Sequence, residues 1–184
     1  PAHLRDPEGH WFGLTQRARI VAYHKGRVGT EDLARWEDLT HPRWKGRILV
    51  RSSENVYNQS LLAAMVAHNG PEAAQAWASG IVANMARPPK GGDTDQLLAL
   101  AEGIGDVAIV NSYYIGIMLN DSNPEEVKAA EQVGIFFPNQ ADRGTHINIS
   151  GAGVTRYAPN RENAIKLLEF LSGEESQRFL ANIN

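Results

Sequence analysis

The stretch Asp106-Val-Ala-Ile-Val-Asn-Ser-Tyr-Tyr-Ile-Gly-Ile-Met118 joins an apolar, strand-like run to a helix-like segment. The apolar run ends at Asn111 and Ser112, two residue types that often cap helices, so we predict a strand over 106–110 and a helix over 113–119. Tyr113 and Tyr114 then fall in the first helical turn, where adjacent side chains are about 100° apart and can converge. Two phenols at a helix start can hold a cation, or they can simply be half-buried aromatics that close the end of a strand.

Helical and strand-like segments alternate along the chain, which predicts the α/β class with a largely parallel sheet flanked by helices. In such sheets, ligands bind at the carboxyl ends of strands, where the helices begin. Tyr57 occupies such a place, because it follows a predicted strand over 47–51 and starts a predicted helix over 56–68. A third helix is predicted after Gly91-Gly92, with Asp93 or Thr94 as its cap.

The composition restricts the function classes. The chain has 184 residues, 42% of them hydrophobic and 21% charged, as in ordinary globular proteins. A net charge of -3 without dense Lys/Arg runs argues against nucleic acid as a partner. The absence of cysteine excludes thiolate zinc sites, iron–sulfur clusters and disulfides. No segment has the length of a membrane span. No signal peptide is recognisable, and the sequence starts at Pro1 without an initiator Met, so we expect a processed or trimmed chain.

Phenols at neighbouring helix starts favour one kind of ligand. Free tyrosine has a pKa near 10 and is a poor ligand while it is protonated, but a highly charged cation stabilises the phenolate. Hard oxygen donors match hard cations, which makes Fe³⁺ the natural candidate for Tyr57, Tyr113 and Tyr114. Zinc would require His and Cys, and calcium would require clustered carboxylates; the sequence has neither pattern.

Four segments in order resemble the ferric-iron-binding periplasmic proteins of bacterial ABC transporters, in the branch that uses several tyrosines without an obligatory anion. They are Arg51-Ser-Ser-Glu-Asn-Val-Tyr-Asn-Gln-Ser60, Gly91-Gly-Asp-Thr-Asp-Gln96, Asn111-Ser-Tyr-Tyr114 and Gly144-Thr-His-Ile-Asn-Ile-Ser-Gly-Ala-Gly153. The segment over 13–24 is similar to that family's first lobe-crossing strand. The resemblance implies a periplasmic-binding-protein-like (type II) fold and an exported, periplasmic receptor, not an enzyme, that delivers ferric iron to an inner-membrane ABC permease.

The resemblance also implies the domain organisation and the roles of individual residues. Residues 20–143 would form a nearly complete ligand-binding lobe, and residues 1–19 and 144–184 would supply crossing strands and part of a second lobe. Tyr57, Tyr113 and Tyr114 match the metal ligands of the family. Arg19 matches a basic residue that the family often keeps near the iron, although it could equally be a solvated strand-edge residue. Apart from the resemblance, Ser53 and Asn111 at the helix starts are candidates for contact with an anion.

Members of this family are longer on both sides, so the chain resembles a fragment. We therefore expect weak Fe³⁺ binding, or binding assisted by an exogenous anion, because a ligand from the other lobe would be missing. An incomplete lobe would also leave apolar surface exposed and favour self-association. Three alternatives stay open: a receptor for a small anion at the helix N-termini, an enzyme with a tyrosine acid or base, and a structural module without a ligand.

Overall fold

The computed structural model describes residues 2–182, which form two compact units. One unit contains residues 18–146, and the other contains residues up to 17 together with those from 147 onward. The chain passes from one unit to the other between Arg17 and Ala18, inside the long strand β1 (Phe12–His24), and again between His146 and Ile147. The assignment of these units to lobes stays a prediction.

The unit of residues 18–146 is a sheet with helices on both faces. Its strands are the second half of β1, then β2 (Ile48–Val50), β3 (Val107–Asn111) and β4 (Val133–Phe136), in the spatial order β2-β3-β1-β4. Its helices are α1 (Val56–Asn69), α2 (Pro71–Asn84), α3 (Asp93–Ala101), α4 (Tyr113–Leu119) and α5 (Pro124–Glu131). The strands predicted over 47–51 and 106–110 and the helices predicted over 56–68 and 113–119 are present, with ends that differ by at most one residue, and a helix follows Gly92 as expected.

The predicted α/β class is correct, but the sheet is mixed and not largely parallel. β2 and β3 are parallel, whereas β1 is antiparallel to both β3 and β4. The reason is the path of the chain: β1 enters this unit from the other one and lies between β3 and β4. Strand direction at that position therefore depends on a long-range connection, which a local strand–helix alternation does not reveal.

The apolar runs of the strands are buried on both faces of the sheet. Val21, Ile48 and Ile109 belong to one cluster of buried side chains, and their neighbours Ile20 and Val110 belong to a second cluster on the opposite face. Because alternate residues of a strand point to opposite faces, continuous apolar runs are what a sheet covered on both sides requires. Trp36 and Trp44, each 1% exposed, belong to the first cluster.

The other unit contains the first half of β1, β5 (Ile147–Ala152), α6 (Arg161–Ser172) and α7 (Glu174–Asn182). Arg17 donates a 2.5 Å hydrogen bond to Ser150, and the Gln177 amide donates to the Leu14 carbonyl at 3.1 Å. Several apolar side chains on its helices are more than half exposed, namely Leu167, Phe170 and Phe179. Among the described residues, no helix combines the length and apolarity needed to cross a membrane.

Candidate metal centre

Tyr113 and Tyr114 begin α4, immediately beyond the end of β3. Their rings stack with centroids 4.3 Å apart and an angle of 28° between the planes. Ser112 occupies the cap position, but its side chain makes no capping hydrogen bond, and Asn111 is still part of the strand. The predicted change from strand to helix at this point is therefore correct, whereas the prediction that the side chain of Asn111 or Ser112 caps the helix is wrong.

Tyr57 lies in the first turn of α1. Asn55 caps this helix, since its side-chain oxygen accepts a 3.0 Å hydrogen bond from the Tyr57 backbone N–H. α1 follows β2, and α4 follows β3, and these two strands are parallel neighbours with Val50 opposite Ile109. Parallel neighbours end at the same edge of a sheet, so both tyrosine-bearing helix starts are brought to that edge.

The Tyr113 side chain interacts with the phenols of both Tyr114 and Tyr57. Burial, followed by hydrogen bonds with the side chains of Tyr114 and Tyr57, raises the pKa of Tyr113 above its ordinary value of 10.0. In their protonated state, the phenols thus form hydrogen bonds with one another. A multivalent cation placed among them would reverse this preference, because its charge stabilises the phenolates at close range.

Arg19 lies behind the tyrosines with 0% of its surface exposed, which excludes the solvated strand-edge alternative. On β1 it is directly opposite Asn111, the last residue of β3. Its Nη1 donates to Asp93 Oδ2 at 2.7 Å and to Asn111 Oδ1 at 3.3 Å, and its Nη2 donates to Asn58 Oδ1 at 2.5 Å. Burial lowers the pKa of the Arg19 guanidinium, and Asp93 and, as a smaller effect, Tyr114 oppose that change.

Asp93 has a different place from the one the sequence predicted. Gly92 is the cap residue of α3, and the Asp95 carboxylate accepts the Gly92 backbone N–H at 2.6 Å. Asp93 is instead 1% exposed and paired with Arg19. The sequence signal that could have revealed it is indirect: a buried arginine requires a buried acid, and Asp93 starts a helix that follows a glycine-rich loop.

The remaining candidates differ in their surroundings. Asn111 is fully buried within the Arg19 network, whereas Ser53 is exposed in the turn that precedes α1. Among residues 2–182, no group of three or more His, Asp or Glu side chains is placed to hold a metal ion. The tyrosine cluster is therefore the candidate metal centre of the described chain. Ligation by Tyr57, Tyr113 and Tyr114 stays a prediction.

Comparison with known proteins places the chain in a family. The model of the bacterial extracellular solute-binding proteins matches residues 1–184. The chain belongs to this family of solute-binding proteins. It is 51% identical over its whole length to iron uptake protein A1 of Synechocystis sp., and it covers 51% of that protein.

Solved structures of similar solute-binding proteins have the same fold. The Trichodesmium protein described as IdiA or FutA, in complex with iron and citrate ligands, matches with a TM-score of 0.93 and 51% identity over 97% of this chain and 56% of that one. The ferric binding protein from Campylobacter jejuni matches with a TM-score of 0.89 and 44% identity over 95% of this chain and 56% of that one. The chain thus spans about half the length of these relatives.

Proposed function

We propose that this solute-binding protein captures ferric iron through the phenolates of Tyr57, Tyr113 and Tyr114 and delivers it to an ABC permease. The observation that supports this most strongly is that the helix starts after the parallel neighbours β2 and β3 bring the phenols together, with Tyr113 stacked on Tyr114 and interacting with Tyr57 as well. The names of the relatives add support, since they include iron uptake and ferric iron-binding proteins. Iron is the transported cargo here, and no catalytic step is proposed.

The donor set fits a trivalent ion on charge grounds. Three phenolates balance the charge of Fe³⁺, and hard oxygen donors prefer hard cations. Each phenol loses its proton when the ion binds, so the cost of ionising the half-buried Tyr113 is offset only by a cation of high charge. Three oxygens do not complete the coordination of such an ion. The other positions would be filled by water, by an exogenous anion, or by groups from a longer chain of this family.

The family also suggests where the protein acts. Extracellular solute-binding proteins work outside the inner membrane, so we place this one in the periplasm, with an inner-membrane ABC permease as the receiver of the iron. This task requires only binding and release of the ion, and behind the phenols the two terminal nitrogens of Arg19 are held by Asp93 and Asn58.

Ferric loading followed by visible spectroscopy tests the proposal. Addition of a ferric chelate should produce a phenolate-to-iron charge-transfer band, which Tyr57→Phe, Tyr113→Phe and Tyr114→Phe should each shift or weaken. Tyr157→Phe is the matched control, because Tyr157 is 86% exposed and belongs to the other unit.

Two results would contradict iron capture. One is the absence of a visible band after loading, and the other is a band that none of the three variants alters. Binding of citrate without iron, measured by calorimetry and unchanged in the phenylalanine variants, would instead support the alternative of a small-anion receptor. In that case the ligand would contact the helix starts and not the phenols.

A further inference from the structure

Asp93 is a buried acid that joins three separate segments around the tyrosine cluster. Its Oδ2 accepts from Arg19 Nη1 at 2.7 Å and from the Asn111 backbone N–H at 2.8 Å, and its Oδ1 accepts from Arg51 Nη1 at 3.3 Å. Asn111 is two residues before Tyr113, so one carboxylate oxygen of Asp93 fixes the end of the strand from which the paired tyrosines start.

The same network extends to the helix that bears Tyr57. Arg19 donates its second terminal nitrogen to the side chain of Asn58, which directly follows Tyr57. The Asn58 amide then donates to the carbonyls of Arg51 at 2.8 Å and Ser52 at 3.2 Å. These contacts fix the turn between β2 and α1. A continuous path of hydrogen bonds thus connects the turn before Tyr57 with the strand end before Tyr113.

Stability alone is a weak explanation for this pair of charges. Removing an arginine and an aspartate from water costs several kcal/mol each, and replacing a buried pair by apolar side chains is often neutral or stabilising. What such a pair supplies is direction, because each of its hydrogen bonds requires a defined distance and angle. Both charges are completely buried, and their bonds end on the two segments that lead to the tyrosines.

We propose that Asp93 is a positioning residue which, through Arg19 and the Asn111 backbone N–H, holds the helix starts of Tyr57 and of Tyr113–Tyr114 at the spacing that a metal ion requires. This inference rests on the proposed capture of ferric iron by these tyrosines. Asp93 itself does not contact the ion. It acts on the ligands in the way that hydrogen-bonding partners behind a metal site orient the groups that coordinate it.

The test compares Asp93→Asn with Asp95→Asn in the same chain. Both residues lie in the first turn of α3, but Asp95 bonds only the Gly92 N–H of its own helix start. Ferric affinity, measured by competition with a chelator, should fall at least about tenfold in Asp93→Asn. The charge-transfer band should also shift. Asp95→Asn should change neither quantity, although its helix cap is weakened.

A double variant separates positioning from folding. Arg19→Met with Asp93→Leu removes both fully buried charges together, and Arg51, which also loses its bond to Asp93, has a side chain that is 20% exposed to solvent; the protein should therefore remain folded by circular dichroism. Its ferric affinity should nevertheless fall as in Asp93→Asn. Wild-type affinity and an unshifted band in either folded Asp93 variant would overturn the inference.

A metal-free measurement keeps the inference distinct from iron capture itself. With ¹³C-labelled tyrosine, the hydroxyl-bearing carbons of Tyr57 and Tyr113 should change chemical shift in Asp93→Asn and keep the wild-type shift in Asp95→Asn. If the wild-type protein shows no ferric band but these shifts change as expected, the proposed cargo is wrong and the positioning role stands. If the band is present but neither the shifts nor the affinity respond to Asp93→Asn, only the positioning role is wrong.

Discussion

Replacing Glu37 by Gln should weaken a group of hydrogen bonds whose contribution to stability depends on pH, in the unit of residues 18–146. The Glu37 carboxylate accepts hydrogen bonds from Arg143 at 2.6 Å, from Asn69 at 2.8 Å and from Asn139 at 3.2 Å. Asn69 is the last residue of α1, and the other two donors lie in the segment that follows β4. The carboxylate therefore ties the end of the tyrosine-bearing helix to a distant part of the chain.

The size of the effect follows from the pKa of Glu37. Burial raises this pKa, but the hydrogen bonds from Arg143, Asn69 and Asn139 outweigh burial and lower it from 4.5 to about 2. A pKa difference of that size corresponds to at most about 3.4 kcal/mol. The side chain is 28% exposed, so solvent screening reduces the contribution, and we expect a loss of about 1–2 kcal/mol at pH 7.

The sign of the pH dependence is fixed by the lowered pKa. Glu37 binds a proton less readily in the folded state than in the unfolded state. Its hydrogen bonds therefore contribute fully to the free energy of unfolding above pH 4.5, and this contribution is lost as the pH falls toward about 2. Urea unfolding should show a difference between wild type and Glu37→Gln that is largest at pH 7 and shrinks below pH 4.5. Because other acids titrate equally in both proteins, the difference isolates Glu37.

Glu102→Gln is the control, since Glu102 is exposed at the end of α3 and should give a difference near zero at every pH. A Glu37→Gln difference that stays constant between pH 7 and pH 2.5 would refute the reasoning, because a neutral packing contact would then account for the effect. A difference below about 0.3 kcal/mol at pH 7 would refute it too, because surface ion pairs commonly contribute that little.

Further predictions concern the helices around the site. Gly80→Ala in α2 should lower the unfolding free energy by about 1–3 kcal/mol, because the new Cβ would lie 2.7 Å from the Thr40 side chain. Gly116→Ala in α4 should raise it by about 0.5–1 kcal/mol, since the new Cβ would have no atom within 4 Å apart from its chain neighbours and the backbone of its own helix. Equal effects in urea unfolding would contradict both. Asn55→Ala should cost about 1 kcal/mol by removing the cap bond to Tyr57, and an unchanged midpoint would contradict this.

Local signals were sufficient to predict most of the helices and strands. α4 has the predicted limits, Tyr113–Leu119, because an apolar strand followed by turn-forming residues and a second apolar segment leaves few alternatives. α1 begins at Val56, the predicted first residue. The convergence of the tyrosines was predictable for the same reason, since it requires only that β2 and β3 end at one edge of the sheet.

The direction of β1 and the burial of Arg19 could not be predicted in this way. Both depend on a pairing between residues far apart in sequence, with Arg19 opposite Asn111. An arginine that alternates with apolar residues within a strand is equally compatible with a solvated and a buried position. Only the presence of a buried acidic partner shows that Arg19 is buried. That partner, Asp93, is 74 residues away, and its position at a helix start is equally typical of a helix cap.

The location of the site follows from where three neighbouring strands change from apolar to polar side chains. β3 ends in Asn111, β2 is followed by Arg51, and the antiparallel β1 reaches the same level from the opposite direction with Arg19. Because the side chains at this edge of the sheet are polar and partly or fully buried, each must form hydrogen bonds with another protein group or with a ligand. Asp93 pairs with both arginines. Tyr113 therefore forms hydrogen bonds with the phenols of Tyr57 and Tyr114. A bound cation can replace these hydrogen bonds with metal–oxygen bonds.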